Sequence, residues 1–216
     1  MARVNTSSVA KRTYHSPLRR AQAEATRGRV LDAALELFAE QGFAATPVSA
    51  IATRAGVAPE TIYASFGTKR ALIDGLIERV DAEGAPERAA RRARELGGDP
   101  RALVMALAET ATDFWARHLA IVTVLRAGVG DPEIGDEWLR RQEGRRGLIL
   151  RMVSSLPEGS LRHGLDTARA TDVAWGLTSD ELFRLMVTLR RWSVKRYTAW
   201  LREELVRAIL ADPRSG

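Results

Sequence analysis

The chain has 216 residues, with 33 lysines and arginines against 27 aspartates and glutamates, which gives a formal net charge of +6. It contains no cysteine, which excludes disulfides, zinc fingers and thiol nucleophiles. Aromatic residues make up only 6%, and the abundance of alanine, leucine and arginine favours helices over sheets. The positive excess suits a polyanion such as nucleic acid. Membrane surfaces and acidic proteins attract it too, so charge alone selects no function.

The amino-terminal segment is polar and basic. Residues 1–29 hold seven basic side chains, opposed only by Glu24. They lack the apolar core of a signal peptide, and no run in the chain approaches the ~18 apolar residues of a membrane span. We therefore expect a soluble, cytoplasmic protein with a basic, flexible arm at residues 1–19. This arm is either a solvated tail or an extension that follows DNA phosphates or enters the minor groove.

Proline positions and apolar spacing predict an all-α fold. At four positions a side chain that can cap a helix directly precedes a proline and a helical pattern follows, at Ser16-Pro17, Thr46-Pro47, Asp99-Pro100 and Asp131-Pro132. No proline interrupts a long apolar period, and no convincing alternation of period two is present. The stretch 84–99 is predicted to be partly linker and partly a polar helical turn. Helices are predicted at residues 20–41, 47–55, 59–66, 68–83, 100–118, 119–128, 132–155, 166–178, 180–190 and 193–211.

Two short predicted helices, 47–55 and 59–66, meet at a tight corner. Gly56 can take the positive φ that a sharp corner needs, and the small Ala52 lets the second helix pass close to the first. Ile62 is predicted to fill the space between them. The outward face of the second helix is then short or planar, and it consists of Glu60, Thr61, Tyr63, Ala64 and Ser65. Such a face fits a DNA major groove, although spacing alone does not distinguish it from an ordinary helical hairpin.

A motif of fixed spacing separates these two interpretations. Residues 31–73 carry Phe38, Gly42-Phe43, Thr46, Val48, Ile51-Ala52, Ala55-Gly56-Val57, Thr61-Ile62-Tyr63, Phe66, Lys69 and Leu72. This stretch resembles the amino-terminal DNA-binding region of the TetR family of bacterial transcriptional regulators. The resemblance implies a three-helix DNA-binding domain with a helix-turn-helix at residues 20–67. It also implies a larger helical domain at 68–216 that dimerises and binds an effector.

The resemblance implies roles at matching positions. Thr46 should cap the first short helix and present its hydroxyl to a phosphate. Thr61 and Tyr63 should contact the DNA backbone or base edges, and Lys69 should reach a phosphate, since hydroxyls and lysines are typical phosphate partners. The full set expected at DNA is Thr46, Val48, Ser49, Pro59, Glu60, Thr61, Tyr63, Ala64, Ser65 and Lys69.

One position departs from the family pattern. Many members carry a capping serine where this chain has Ala58, so the second short helix begins without that cap. The missing cap costs about 1 kcal/mol of helix stabilisation, and Pro59 offsets part of it. Glu60 on the groove face would repel phosphate but could accept a hydrogen bond from a cytosine amine.

The carboxy-terminal body supplies candidates for an interface and for a pocket. Its last segment, 175–210, resembles the carboxy-terminal domain of one actinobacterial-type subgroup of the family, which implies that helices 166–178 and 193–211 form the dimer interface. The residues expected there are Trp175, Tyr197, Trp200, Leu201 and Leu205. Aromatic side chains with a few polar groups are typical of small-molecule sites, which gives Phe114, Trp115, His118, Arg126, Trp138, Met152, Trp175 and Phe183 as candidate pocket residues. For each residue of both sets the alternative is an ordinary core position.

Together these features predict a sequence-specific, homodimeric repressor that a small-molecule ligand releases from a palindromic operator. The ligand would shift the helix at 67–83, which joins the two short DNA-binding helices at 47–55 and 59–66 (the reader) to the pocket. The alternative is an effector-independent or architectural DNA-binding protein. An enzyme is disfavoured, because no nucleophile elbow, phosphate-binding glycine loop or acid–histidine cluster is present. His15, His118 and His163 lie far apart without metal-ligand spacing, so neither a metal nor a cofactor is expected.

Overall fold

The computed structural model of the chain describes residues 17–212, apart from the side chain of residue 133. Within these residues the structure is helical, and the one β-contact is an isolated bridge between Leu161 and Leu210. None of the described helices is long and apolar enough to cross a membrane. The helices are α1 Pro17–Gln41, α2 Val48–Ala55, α3 Pro59–Phe66, α4 Arg70–Asp81, α5 Ala85–Glu95, α6 Pro100–Ala127, α7 Pro132–Ser154, α8 Thr167–Leu177, α9 Asp180–Phe183 and α10 Val194–Ile209.

Helices α1 to α4 agree with the predicted elements to within a few residues. Helix α1 begins at Pro17, so the last three residues of the predicted basic arm are helical, and the rest of that arm lies outside the described residues. Gly42 ends α1 with a φ of 82°. Phe43 folds back onto Phe38 with ring centroids 5.1 Å apart, as the sequence predicts for a left-handed stop followed by an apolar residue.

Two predictions for the middle of the chain are wrong. The segments 100–118 and 119–128 form one continuous helix, α6, because no glycine or proline lies between Pro100 and Gly128 to break it. The stretch 84–99 contains a regular helix of 11 residues, α5, although none of its residues is buried. A side-chain cap begins α6 as expected, since Asp99 accepts the amide of Arg101 at 2.9 Å. Ser193 caps α10 in the same way and accepts the amide of Arg196 at 3.2 Å.

The buried side chains form two clusters. The first joins α1 to α4 with one end of α6, where Ile121, Val124 and Leu125 are buried, and with Ile134 of α7. The second lies in the body, where α10 packs along α6 and α8 packs against α7. Trp138 on α7 packs against both clusters. Helices α1 to α4 are therefore continuous in packing with the body.

The second cluster corrects part of the predicted dimer interface. Tyr197, Leu201 and Leu205 are fully buried inside the protomer, because the apolar stripe of α10 faces α6 of the same chain. They are core residues and have no surface to offer a second subunit. Trp175 and Trp200 are only half-buried. The predicted helix at 180–190 is also corrected, since only α9 is α-helical and a π-helical segment, Arg184–Leu189, continues it.

Candidate nucleic-acid interface

The corner between α2 and α3 is built around Gly56. Its φ of 66° and ψ of 42° place it in the left-handed region, where a glycine avoids the steric cost of a side chain. The amide of Val57 then donates to the carbonyl of Ala52 at 3.0 Å. Ile51 and Ile62 are buried beneath the corner, so one side chain from each helix anchors it to the first core cluster.

Burying Ile62 turns the opposite face of α3 outward. Glu60, Tyr63, Ala64 and Ser65 are exposed and Thr61 is half-buried. Tyr63 is the most prominent, because 53% of this large side chain is exposed. The helix begins at Pro59 without a side-chain cap on Ala58, as the sequence predicts. The amide of Thr61 in the first turn donates to the backbone carbonyl of Ala58 at 3.0 Å.

The start of α2 contributes fewer exposed side chains to the candidate interface than α3 does. Ser49 is exposed and Val48 is half-buried. The exposed hydroxyl of Thr53 donates to the carbonyl of Ser49 at 3.0 Å, within the same helix. Because Ser49 is exposed, its side chain lies on the outer surface of α2.

Thr46 does not have the capping role predicted for it. The residue that caps α2 is Pro47, and no side chain bonds to the first amides of the helix. The hydroxyl of Thr46 is fully buried and donates instead to the carbonyls of Gly42, at 2.8 Å, and Leu37, at 3.3 Å. A buried hydroxyl requires an acceptor, and these two carbonyls lie in the last turn of α1 and directly after it. Thr46 therefore closes the carboxyl end of α1 and presents no hydroxyl to solvent.

Lys69 lies at the junction between α3 and α4. Its ammonium donates to the carbonyl of Ala44 at 3.2 Å and lies 4.6 Å from the ring centroid of Phe43. Partial burial removes water from the ammonium and lowers the pKa of Lys69 below its usual range. An ammonium has three donors, so the contact with Ala44 leaves two for another acceptor while it fixes the position of the charge.

Arg27 holds the end of α3 in place, and the sequence does not single it out. Its guanidinium lies 3.1 Å from the carboxylate of Glu78 on α4 and 4.3 Å from the ring centroid of Phe66, and it donates to the carbonyl of Ser65 at 3.5 Å. Nothing distinguishes it from the other arginines of α1 in sequence, because all three partners are distant along the chain. Gly75 allows this packing, since a Cβ there would lie 3.0 Å from Leu31 and 3.3 Å from Phe66.

Two carboxylates connect the end of α4 to the body. Asp81 accepts two hydrogen bonds from Arg141 of α7, at 2.9 and 2.7 Å. Glu83 accepts from Arg117 of α6 and lies 3.3 Å from Nε2 of His118. These contacts join the end of α4 to α6 and α7.

The residues predicted for an effector pocket occupy several environments. Trp115, His118 and Phe183 are buried, while Trp138, Met152 and Trp175 are half-buried. The guanidinium of Arg145 lies 4.9 Å from the ring centroid of Trp175 and 5.9 Å from that of Trp115, a cation that the sequence analysis missed. Arg126 lies 3.2 Å from Asp180. Phe114 lines a separate cleft between α5 and α6.

Burial shifts the protonation equilibria at the centre of this body. Desolvation lowers the pKa of Arg145 to about 10. Desolvation also raises the pKa of Asp180 to about 6, helped by the neighbouring carboxylate of Glu181 and opposed by Arg126. Asp180 has only 1% of its surface exposed, so this carboxylate depends on the guanidinium of Arg126 for its charge balance.

Comparison with known proteins identifies relatives among transcription regulators. The family described as bacterial regulatory proteins, tetR family, matches residues 30–76, which span the end of α1 to the middle of α4. The HTH-type transcriptional regulator UidR of Escherichia coli is 25% identical over 167 residues, covering 74% of this chain and 83% of UidR.

Solved structures share the fold over most of the chain. NalD, the secondary repressor of the MexAB-OprM multidrug efflux pump in Pseudomonas aeruginosa, has a TM-score of 0.66 at 21% identity, covering 88% of this chain and 98% of NalD. The transcriptional regulator FadR from Bacillus subtilis, in complex with stearoyl-CoA, has a TM-score of 0.63 at 20% identity, covering 83% of this chain and 97% of FadR. The helical body as well as the reader therefore follows a known architecture.

Proposed function

The chain belongs to the TetR family of bacterial regulatory proteins, and on this premise we propose that it is a sequence-specific repressor that a small molecule releases from DNA. As a member of the family it is a DNA-binding transcription regulator and not an enzyme. We expect it to act on DNA in the cytoplasm.

The exposed face of α3 is the observation that supports this function most directly. Tyr63 exposes more than half of its surface while Ile62, its neighbour in sequence, is completely enclosed. The core thus fixes the rotation of α3, and a short polar face is left free. We infer that α3 enters the major groove and that Glu60, Thr61, Tyr63, Ala64 and Ser65 meet the bases or the backbone.

Phosphate contacts would position this helix on the duplex. Lys69 carries a fixed ammonium at one end of α3, and Ser49 carries an exposed hydroxyl near the start of α2. With Val48 and Pro59, both half-buried at the amino ends of α2 and α3, they complete the proposed DNA surface. Since Thr46 turns its hydroxyl inward, its contribution to DNA binding is to hold the α1–α2 connection.

A homodimer would place two such readers on a palindromic operator, about 34–36 Å apart. With Tyr197, Leu201 and Leu205 enclosed in the core, we propose that the interface uses the half-buried Trp175 and Trp200. Exposed apolar side chains of the π-helical segment, Leu185 and Leu189, would extend it. Leucines exposed in this way are typical of interaction surfaces when they cluster.

The effector would act through α4. FadR from Bacillus subtilis, a protein with this fold, was solved in complex with stearoyl-CoA, which supports a small-molecule effector here. Here the contacts of Asp81 with Arg141 and of Glu83 with Arg117 join α4 to two body helices. A ligand that separates these helices changes the position of α4 and so the distance between the two readers.

Selection of bound DNA from a random pool tests the proposal. We expect a palindrome with half-sites one helical turn apart, bound at least a thousandfold more tightly than random DNA of equal length at the same salt concentration (roughly 10³–10⁷ is typical of specific binders). A ratio near one would instead support the architectural alternative and would overturn the repressor function. Changing Tyr63 to alanine in the same selection checks that α3 makes the choice.

A further inference from the structure

A cleft of about 260 Å³ lies between α5 and α6, and none of the residues proposed to contact DNA lines it. Phe114 forms its apolar part, together with Ala85 and Ala89. Three guanidinium groups, of Arg88, Arg92 and Arg117, also line it. The volume is below the roughly 300–1,000 Å³ of sites for drug-sized ligands, so the cleft suits a small molecule.

Two of these arginines are held only weakly. Arg92 lies 3.5 Å from Glu95 and Arg88 lies 3.9 Å from Glu83, and these side chains are between a third and three-fifths exposed. Exposed ion pairs of this kind contribute about 0–1 kcal/mol, so a ligand displaces them at little cost. The carboxylates in the lining are better occupied, since Arg202 of α10 pairs with Glu109 and Arg117 pairs with Asp113.

The cleft shares its cations with the end of α4. The carboxylate of Glu83 accepts from Arg117 and lies near Arg88, and it also lies 3.3 Å from His118. An anion that binds between Arg88 and Arg117 therefore competes directly with Glu83. Loss of these contacts removes one of the two carboxylate links between α4 and the body.

Helix α5 can move without disturbing the core. None of its residues is buried, and glycines with positive φ flank it, Gly84 on one side and Gly97 and Gly98 on the other. Short glycine-containing connections of this kind absorb the backbone changes of a hinge. Opening the cleft therefore leaves both buried clusters intact.

We infer that this cleft binds a small organic anion, with its charged group among Arg88, Arg92 and Arg117 and its apolar part on Phe114. Planar guanidinium groups recognise carboxylates and phosphates through paired hydrogen bonds. Binding draws Arg88 and Arg117 away from Glu83, releases the end of α4 and so lowers affinity for DNA. The last step rests on the proposed repressor function, whereas binding of the anion does not.

Calorimetric titration of the full chain without DNA tests the site. The probes are benzoate, hexanoate and phenyl phosphate, with benzamide and benzylamine as the neutral and cationic counterparts of benzoate. We expect at least one anion to bind, benzamide and benzylamine to bind at least tenfold more weakly than benzoate, and R92Q or R88Q to weaken the anion at least tenfold. The matched control is R91Q on the same helix, since Arg91 is exposed and does not line the cleft.

The proposed site is wrong if all three anions fail to bind at millimolar concentration or if benzamide and benzoate bind equally well. It is also wrong if both R92Q and R88Q leave the affinity for the anion unchanged. Circular dichroism of R92Q and R91Q excludes unfolding as the cause of a loss.

Competition with Glu83 makes a second, separate prediction. E83Q removes the competing carboxylate, so it should bind the anion severalfold more tightly than the unaltered chain. An equal or lower affinity overturns the competition. With a selected operator fragment, the anion should weaken DNA binding by the unaltered chain but not by R92Q, and equal weakening in both overturns the link to α4. If no preferred DNA is found, the repressor function fails while the titration without DNA still decides the site.

Discussion

Arg141 on α7 donates two hydrogen bonds to the carboxylate of Asp81 on α4, at 2.9 and 2.7 Å. The proximity of this carboxylate raises the pKa of Arg141 above its usual value. The pair joins the last turn of α4, the helix that follows the reader, to α7 in the body. Because both side chains are partly exposed, its contribution to folding is small, and its importance lies in the orientation of α4.

The change D81N should therefore loosen the reader without unfolding the protein. The chain has no cysteine, so A64C on α3 and G144C on α7 place two spin labels at exposed positions. With labelled chains diluted in unlabelled ones, D81N should broaden the distance distribution between the labels. D172N, which removes the Arg146–Asp172 pair between α7 and α8, is the control and should leave the width unchanged. Equal widths in D81N and the unaltered chain would show that the pair does not orient α4.

The change Y63A should weaken DNA binding broadly, by at least tenfold or about 1.4 kcal/mol. Because Tyr63 is 53% exposed, its loss should change the free energy of unfolding by no more than about 0.5 kcal/mol. Binding is measured by fluorescence anisotropy and unfolding by urea. Y63F separates the hydroxyl from the ring. Operator affinity that survives Y63A would mean that this face of α3 does not meet DNA.

The change K69A should remove one phosphate contact from each subunit of the proposed dimer. The logarithm of the binding constant falls with the logarithm of salt concentration by about 0.9 for each phosphate neutralised, so the slope for a bound dimer should become shallower by about 1.8. K195A is the matched control, because Lys195 is an exposed lysine on α10, remote in sequence from the reader. An unchanged slope in K69A would assign this ammonium to the Ala44 carbonyl alone.

The change T46V tests the inward role of the Thr46 hydroxyl. Valine keeps the volume but leaves the carbonyls of Gly42 and Leu37 without this donor, which should lower the free energy of unfolding by about 1–3 kcal/mol. T53V is the control, because the hydroxyl of Thr53 is exposed and bonds within its own helix. A T46V protein of full stability but reduced DNA affinity would favour a phosphate contact by Thr46.

The change D180N should reveal the cost of ionising a buried carboxyl. The folded-state pKa of Asp180, about 6, exceeds its usual value of 3.8, so its contribution to stability is present at low pH and is lost as pH rises through about 6. Urea unfolding between pH 4 and pH 7 should show D180N gaining stability relative to the unaltered chain as pH rises. A constant difference across this range would mean that Asp180 titrates normally. The neighbouring Glu181, whose pKa is lowered, makes E181Q a useful comparison.

The reader could be predicted because its determinants are local. Gly56 needs no partner to specify a corner, and the spacing of Ile51 and Ile62 fixes which faces of α2 and α3 are buried. The prediction that Thr46 caps α2 was wrong for the opposite reason. Its position before a proline predicts a cap for the following helix, whereas its acceptors belong to the end of the preceding one. A pattern along the chain gives no sign of which carbonyls tertiary packing brings near.

The body was harder to predict, because an apolar stripe on a helix shows which residues are buried but does not show which surface covers them. Tyr197, Leu201 and Leu205 recur every four residues, as an interface helix would require, yet α6 of the same chain covers them. Likewise α5 consists of arginine, glutamate, alanine and one proline and lacks the period of large apolar side chains that usually identifies a helix, so its sequence predicted partly a linker and partly a polar helical turn. Its helical geometry nonetheless brings Arg88 and Arg92 to one cleft.

The uninterrupted length of α6 has a consequence for cooperativity. At 28 residues it is about 42 Å long, and it is a single rod that contributes Leu125 to one buried cluster and Trp115 to the other. A fragment cut at residue 67 would lose the apolar partners that α4 and α6 supply to α1. The reader is thus not a detachable module but one end of a single thermodynamic unit, in which melting of either cluster weakens the other.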